Sequence, residues 1–300
     1  MRPTRPAVPY LAILGTVLIW GLSFVASKTV LTAGVPPMTM VAMRFLVATA
    51  ILRPLLKLRE PATRLERGKV LPLVLGGLLG VTVYFFFESR GLQRTTASAA
   101  SLITAIIPIL VVVAERLFYR TRVRWFQWMG VLVSVAGVYL LVGRPDTGGE
   151  IAGSLLMLGA CLAWVAYNLV SRNLHRAYSD FAVTAYQTTF GALFLLPLAL
   201  LEIRSWVPLT PVVILSILYL AVVSSALGYF LYVVALARLG PAGVTPFVNL
   251  IPVVGVLGGV ILLGESVTPV QIAGGAVTVA GVVLVSFRGR RVLDTTGSGG

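Results

Sequence analysis

The chain has 300 residues, of which 58% are hydrophobic and only 11% are charged. A soluble domain of ordinary composition carries about 25% charged residues, so this chain could not present a water-compatible surface. The net charge of +14 would suggest nucleic-acid binding in a soluble protein. Here the basic residues lie in short loops between apolar stretches, where they fit lipid headgroups. The composition indicates a protein embedded in a lipid bilayer, with no nucleic-acid partner.

Apolar stretches long enough to cross a bilayer follow one another along the chain. A hydrocarbon core about 30 Å thick needs about 20 apolar residues in a helix. Ten stretches qualify: Tyr10–Val30, Met38–Leu56, Val70–Leu92, Ala97–Leu117, Trp125–Val142, Ile151–Val170, Phe181–Leu201, Val212–Leu236, Ala242–Leu263 and Val270–Phe287. We therefore predict an all-α membrane protein of ten transmembrane helices. We expect the first stretch to be retained, because it is long for a signal peptide.

The basic residues alternate between loops, which predicts the orientation in the membrane. They are dense before the first helix, in every second loop and after the last helix, and nearly absent from the other loops. Since cytoplasmic loops carry the excess of Lys and Arg, both termini are predicted to be cytoplasmic. We expect a multi-pass protein of the inner (plasma) membrane.

The two halves of the chain are related by a shift of 144 residues. This shift brings Trp20 onto Trp164, Arg94 onto Arg238 and Pro108 onto Pro252, and the match is densest between the last helices of the halves. We predict a first repeat at 1–146, a second at 147–290 and a flexible tail at 291–300. Because each repeat has an odd number of helices, the second must be inverted, an arrangement that suits alternating access.

Several short motifs, in order, resemble the drug/metabolite transporter superfamily of the EamA type over residues 10–287. They are Leu18–Phe24, Met43–Leu46, Thr95–Ser101 with Pro108, Leu263–Glu265 and Gln271–Gly274. The resemblance implies two inverted five-helix repeats around a central cavity that carries amino acids, metabolites or drugs, often outward. The chain departs from the family pattern at Arg120-Thr121, where the first repeat often has a Gly-Glu pair.

Two stripes of aromatic and polar residues are candidates for the lining of a cavity. They lie at helical spacing on the first and sixth predicted helices, and polar groups facing lipid are costly, so both should point inward. Plain helix packing is the alternative for the small residues. The candidates on the stripes are Trp20, Phe24, Trp164, Tyr167 and Asn168.

Further candidates lie on four other helices. The third and eighth add Tyr84, Glu88, Tyr229 and Tyr232, and the fourth and ninth add Ser101, Thr245 and Asn249. Glu88 is a candidate for substrate or proton contact, or for an interfacial position near Arg90. Arg44 is either a structural anchor or an anion-binding group. Pro108 and Pro252 each remove a helical hydrogen bond near mid-membrane, which predicts a pair of kinks that act as hinges.

The absent motifs narrow the function further. One histidine, His175, and one cysteine, Cys161, do not make a protein-built metal site, and no motif implies a cofactor or an enzyme. No cluster of mid-membrane Lys and Arg offers a phosphate site. The sequence thus favours a transporter of amino acids or metabolites, expected to act as a monomer and to export its substrate. A proton-coupled multidrug efflux transporter or a lipid flippase are the alternatives.

Overall fold

A computed structural model describes residues 7–120, 124–142 and 148–286 of the chain. The predicted tail, the boundary at residue 146 and the basic residues at both termini lie outside these ranges. The described residues form helices and no strand. The ten helices are α1 Val8–Thr32, α2 Pro37–Arg59, α3 Arg67–Arg94, α4 Ala97–Tyr119, α5 Trp125–Val142, α6 Gly148–Ser171, α7 Asp180–Leu201, α8 Pro211–Gly240, α9 Pro246–Leu263 and α10 Pro269–Ser286.

The ten helices confirm the predicted membrane fold. Eight of them are long and apolar enough to cross a bilayer, and α5 and α10 contain the shorter apolar stretches Trp125–Leu140 and Pro269–Leu284. Between α8 and α9 the chain turns at Gly240, which has a φ of 67°. A residue without a Cβ adopts this left-handed conformation without steric cost.

Each helix of the first repeat packs against helices of the second. The helix α1 contacts α8 and α9, and its counterpart α6 contacts α3 and α4. The helices α2 and α7 pack against each other, as do α5 and α10. These reciprocal contacts are those of two inverted five-helix repeats around one pseudo-two-fold axis.

Small residues allow α5 and α10 to approach closely. A Cβ at Gly281 would lie 2.5 Å from the backbone oxygen of Gly130. Ser134 Oγ donates a hydrogen bond of 2.9 Å to the backbone oxygen of Thr278, the residue 144 positions later in the chain. Because these two positions correspond in the repeat, their contact lies at the pseudo-two-fold axis.

The helices α3 and α8 each contain a π-helical segment. These segments are Leu78–Val83 and Tyr219–Leu227, and the repeat shift places the first within the second. A π-helical turn widens the helix and shifts the directions of its side chains and carbonyl groups. Both segments lie directly before the residues of α3 and α8 that were predicted to face a cavity.

The helices α4 and α9 are interrupted in the middle. The interruptions are at Ala105-Ile106 and at Asn249-Leu250, and the helix resumes directly before Pro108 and Pro252. Proline lacks a backbone N–H and is favoured in the first turn of a helix, which is the position that each of these prolines occupies. Each interruption is a tight turn of two residues with hydrogen bonds between residues three apart, and the two turns lie at equivalent positions of the repeats.

Candidate functional site

A cavity of about 190 Å³ lies between the two repeats, at the breaks in α4 and α9. We call it the central cavity. Six aromatic side chains line it: Trp20, Phe24, Tyr84, Phe85, Trp164 and Tyr229. Five polar or charged side chains also line it: Ser23, Arg44, Glu88, Thr104 and Asn249. Both Pro108 and Pro252 also line it.

The aromatic wall consists of two clusters that cross between the repeats. Trp20 of the first repeat packs against Tyr229 and Tyr232 of the second, with ring centroids 5.1 and 5.3 Å apart. Trp164 of the second repeat packs against Tyr84 of the first at 5.2 Å. Offset and edge-to-face contacts of this kind stabilise aromatic pairs and leave ring faces and edges for a ligand.

The two tryptophans differ in how their indole N–H groups are used. Trp20 Nε1 donates a hydrogen bond of 3.1 Å to the backbone oxygen of Ser224, in the π-helical segment of α8. Trp164 Nε1 donates to none of the described residues, and its side chain is only partly buried. The first ring is therefore fixed by the protein, whereas the second has a donor left for a substrate or water.

The two charged residues of the lining, Arg44 and Glu88, lie on α2 and α3. Arg44 is 5% exposed, and its guanidinium donates to the hydroxyl groups of Ser224 and Ser225 at 3.2 and 2.8 Å. Glu88 is 4% exposed, and its Oε2 atom has no hydrogen-bond partner. No N–O pair of Arg44 and Glu88 lies within the 4.0 Å of an ion pair. The cavity thus carries both signs of charge on two side chains that do not pair directly.

A second pocket, of about 220 Å³, lies at the ends of α4 and α6 that are predicted to be cytoplasmic. We call it the side pocket. Its lining includes Tyr167, Asn168, Glu115, Arg172 and His175. The ring of Tyr167 packs on that of Trp164 at 4.9 Å, so these two rings separate the side pocket from the central cavity.

On the predicted outer side, the chain after α9 is joined to the start of α4. The Glu265 carboxylate accepts hydrogen bonds from the backbone N–H groups of Ala97 and Ser98, at 2.7 and 2.9 Å, and from the Ser98 hydroxyl at 2.6 Å. We call this contact the Glu265 cap. Unpaired N–H groups and the helix dipole make a helix N-terminus a favourable position for a carboxylate. The cap therefore holds α4 and α9 together at this end.

The sequence profile of the EamA-like transporter family matches residues 8–143 and 151–287, one match for each repeat. The chain belongs to the EamA-like transporter family. Its membership makes it a multi-pass membrane protein that transports small solutes.

Relatives within this family cover nearly the whole chain. A probable terminal-alkyne amino-acid exporter of Streptantibioticus cattleyicolor is 29% identical over 285 residues, which is 93% of this chain and 94% of that protein. A probable amino-acid metabolite efflux pump of Salmonella typhimurium is 28% identical over 305 residues, covering 96% and 98%. A solved crystal structure with 21% identity has the same fold, with a TM-score of 0.67 over 96% of this chain and 100% of that one.

Most of the candidates from the sequence meet in the central cavity of this EamA-like protein. The lining includes Trp20, Phe24, Tyr84, Glu88, Trp164, Tyr229 and Asn249, together with both prolines. Tyr232 lies behind Trp20 through their ring contact, outside the lining. Glu88 is buried and lines the cavity, and Arg90 pairs with Glu202 at 3.4 Å.

Besides Tyr232, four further candidates are not part of the described lining of the central cavity. Tyr167 and Asn168 line the side pocket, because the stripe on α6 continues past Trp164 toward the predicted cytoplasmic end. Ser101 is buried between α4 and α9, where its hydroxyl donates to the backbone oxygens of Ser98 and Pro252. The side chain of Thr245 lies outside what the structure describes.

Sequence reasoning left several lining residues out of the candidate list. Ser23, Thr104 and Phe85 line the central cavity and were not among the candidates. Phe85 lies 144 positions before Tyr229, so the repeat shift applied to that candidate would have found it. Arg44 has no charged counterpart, since Thr188 occupies its position in the second repeat.

Proposed function

We propose that the protein exports small organic solutes of the amino-acid and metabolite class by alternating access through the central cavity. One observation carries this proposal: a cavity at the pseudo-two-fold axis, with a helix break and a tryptophan cluster contributed by each repeat. Inverted repeats can exchange conformations about such an axis, so that the cavity opens to one side and then the other.

The size and lining of the cavity favour this substrate class. Its volume of about 190 Å³ is below the roughly 300–1,000 Å³ of pockets that hold drug-sized ligands. Aromatic walls bind apolar side chains by stacking and ammonium groups by cation–π attraction. The two relatives are named as a probable terminal-alkyne amino-acid exporter and a probable amino-acid metabolite efflux pump, and these names support the same substrate class and the same direction.

Transport by the purified protein in proteoliposomes tests the proposal. We expect saturable uptake and counterflow of members of a panel of labelled amino acids and metabolites. Trp164→Ala should abolish this transport, because it removes one aromatic wall of the cavity. Trp128→Ala is the matched control, since Trp128 is 43% exposed on α5 and does not line the central cavity. Equal transport in both variants, or no transport of any panel member by folded protein, would contradict the proposal.

Proton-coupled efflux is a second candidate because a buried carboxylate, Glu88, lines the cavity. Carboxylates within the membrane often serve proton-driven transport. An imposed proton gradient should then accelerate transport, and Glu88→Gln should remove that acceleration. Transport that is indifferent to the gradient would instead identify a facilitative carrier.

A further inference from the structure

Arg44 and Glu88 are the two charged side chains among the described residues that line the central cavity. One belongs to α2 and the other to α3, and together they make the formal charge of the lining zero. A cavity with zero net charge and separated charges matches a ligand with the same property. This combination is carried by the first repeat alone.

Arg44 is held in place and retains free hydrogen-bond donors. A guanidinium has five N–H donors, and two of its nitrogens, Nε and Nη2, each donate once to a serine hydroxyl of α8. Its flat face also lies 4.6 Å from the ring centre of Phe85. Nη1 and the second N–H of Nη2 form the remaining edge, and this end of a guanidinium is one of the two edges that can bind a carboxylate through two parallel hydrogen bonds.

Glu88 has an acceptor with nothing bound to it. Its Oε2 atom is buried and has no hydrogen-bond partner, although the side chain lines the cavity. A buried polar atom without a partner is costly, and a ligand that donates a hydrogen bond to it removes that cost. An ammonium group supplies three such donors and the opposite charge.

Comparison of the repeats argues against a purely structural role for the two charges. The positions equivalent to Arg44 and Glu88 are Thr188 and Tyr232, both uncharged. The same helices pack in the second repeat without these charges. The repeat fold therefore does not require them, and a function within the cavity accounts for their presence in one half.

We propose that the central cavity binds zwitterionic α-amino acids with apolar or aromatic side chains, with the carboxylate on Arg44 and the ammonium group on Glu88. The side chain then lies against Trp164 and Tyr84, whose rings form the adjoining wall. This inference rests on the proposed function and names the substrate class of the same cavity.

A ligand with only one of the two charges binds less well for a physical reason. An amine without a carboxylate leaves the free edge of Arg44 without an acceptor, and an acid without an ammonium group leaves Glu88 Oε2 without a donor. Sites built to hydrogen-bond a substrate group reject analogues that lack it, because the buried partner is left unpaired.

Three ligands that share one benzene ring test the proposal: phenylalanine, phenethylamine, which lacks the carboxylate, and hydrocinnamate, which lacks the ammonium group. Each competes with labelled phenylalanine in proteoliposome counterflow, and direct binding to purified protein is followed by thermal shift. In the unmodified protein we expect phenylalanine to bind at least about tenfold more tightly than either analogue. Similar binding of all three would overturn the proposal without any variant being made.

Two variants then test which residue binds the carboxylate of the ligand and which binds its ammonium group. In Glu88→Gln the preference for phenylalanine over hydrocinnamate should fall to within about threefold, while the preference over phenethylamine persists. In Arg44→Gln the preference for phenylalanine over phenethylamine should fall to within about threefold, while the preference over hydrocinnamate persists. The matched controls are Glu66→Gln, an exposed carboxylate outside the cavity, and Arg90→Gln, whose side chain pairs with Glu202. Unchanged preferences in both cavity variants would overturn the assignment.

The failure of this inference differs from the failure of the proposed function. If the protein transports other solutes of the panel but does not distinguish the three ligands, only the zwitterion site is wrong. If the folded protein transports no solute at all, the proposed function and the inference fail together.

Discussion

The Glu265 cap is expected to hold the central cavity closed on the predicted outer side of the membrane. In this structure the cap joins the chain after α9 to the first turn of α4 on the predicted outer side. Alternating access through the central cavity requires these ends to separate. We expect Glu265→Gln to weaken their contact and to raise the population of molecules that are open to the outside.

The magnitude follows from the three hydrogen bonds of the cap. Glutamine keeps one acceptor oxygen, so its NH₂ group must face either the Ala97 N–H or the two donors of Ser98. A hydrogen bond to a charged group contributes about 1.5–3 kcal/mol. Since Glu265 is only partly buried, water replaces some of the hydrogen bonding that the substitution removes. We therefore take this range as the total free energy that the cap loses in Glu265→Gln. It corresponds to a roughly 10- to 100-fold shift of the conformational equilibrium.

Cysteine labelling measures this shift. Ser23 lines the central cavity, so Ser23→Cys in a Cys161→Ala background places one thiol there. A membrane-impermeant thiol reagent is added to the outside of right-side-out vesicles, and the rate of labelling is compared with and without Glu265→Gln. The expected rate increase is about tenfold or more while the outward-open state remains rare. Glu66→Gln is the control, because the Glu66 carboxylate is exposed and accepts no capping hydrogen bond although this residue precedes the first turn of α3.

Three outcomes would refute the reasoning. If labelling is unchanged while the melting temperature falls, the carboxylate stabilises α4 without holding the outer side closed. If both are unchanged, the hydrogen bonds of the cap contribute nothing measurable. Slower labelling from outside would mean that the cap favours the outward-open state.

Three further predictions concern stability. Arg120 adopts the left-handed conformation, with φ of 52°, at the position equivalent to Gly264. Arg120→Gly should therefore raise the unfolding free energy by about 1 kcal/mol, which would be measured as a higher melting temperature. A lower melting temperature would contradict the argument that Arg120 is strained. Gly281→Ala should lower the unfolding free energy by about 1–3 kcal/mol because the new methyl group meets the backbone of α5. Gly68→Ala is the control, since a Cβ there meets no atom within 4 Å. Equal melting temperatures of the two variants would show that α5 and α10 can separate without cost. Arg90→Ala should lower the unfolding free energy by less than about 1 kcal/mol, since the ion pair of Arg90 with Glu202 is partly exposed. Transport should be unaffected by this substitution. Loss of transport would place Arg90 in the transport pathway.

The helices could be predicted from the sequence because the bilayer imposes a simple rule. Each span must be apolar over a fixed length, and the predicted Trp125–Val142 has the same bounds in the structure. The repeat shift also made Pro108 and Pro252 equivalent residues, and each lies in the first turn after a helix interruption; their role as hinges stays a prediction. Helix periodicity then placed Trp20 and Trp164 on inward faces.

The remaining features depend on contacts between distant parts of the chain. No local signal marks the π-helical segment Tyr219–Leu227, which shifts every residue after it relative to a regular helix. Periodicity gives the face of α6 but not the depth, so Tyr167 was grouped with Trp164 although it lines the side pocket. The partners of Arg44 lie on α8, far away in the sequence, and no spacing rule connects them.

The contact between Ser134 and Thr278 at the pseudo-two-fold axis shows which kind of interface joins the two halves. An interface between two related surfaces at a two-fold axis is isologous, which means that one surface is complementary to a copy of itself. The α5 surface and the α10 surface are such copies, and each carries the small residues that the other needs. A single five-helix half with this surface could pair with an identical half inserted in the opposite orientation. At this interface, a homodimer of two oppositely inserted halves would make the same kind of contacts as the two repeats make within one chain.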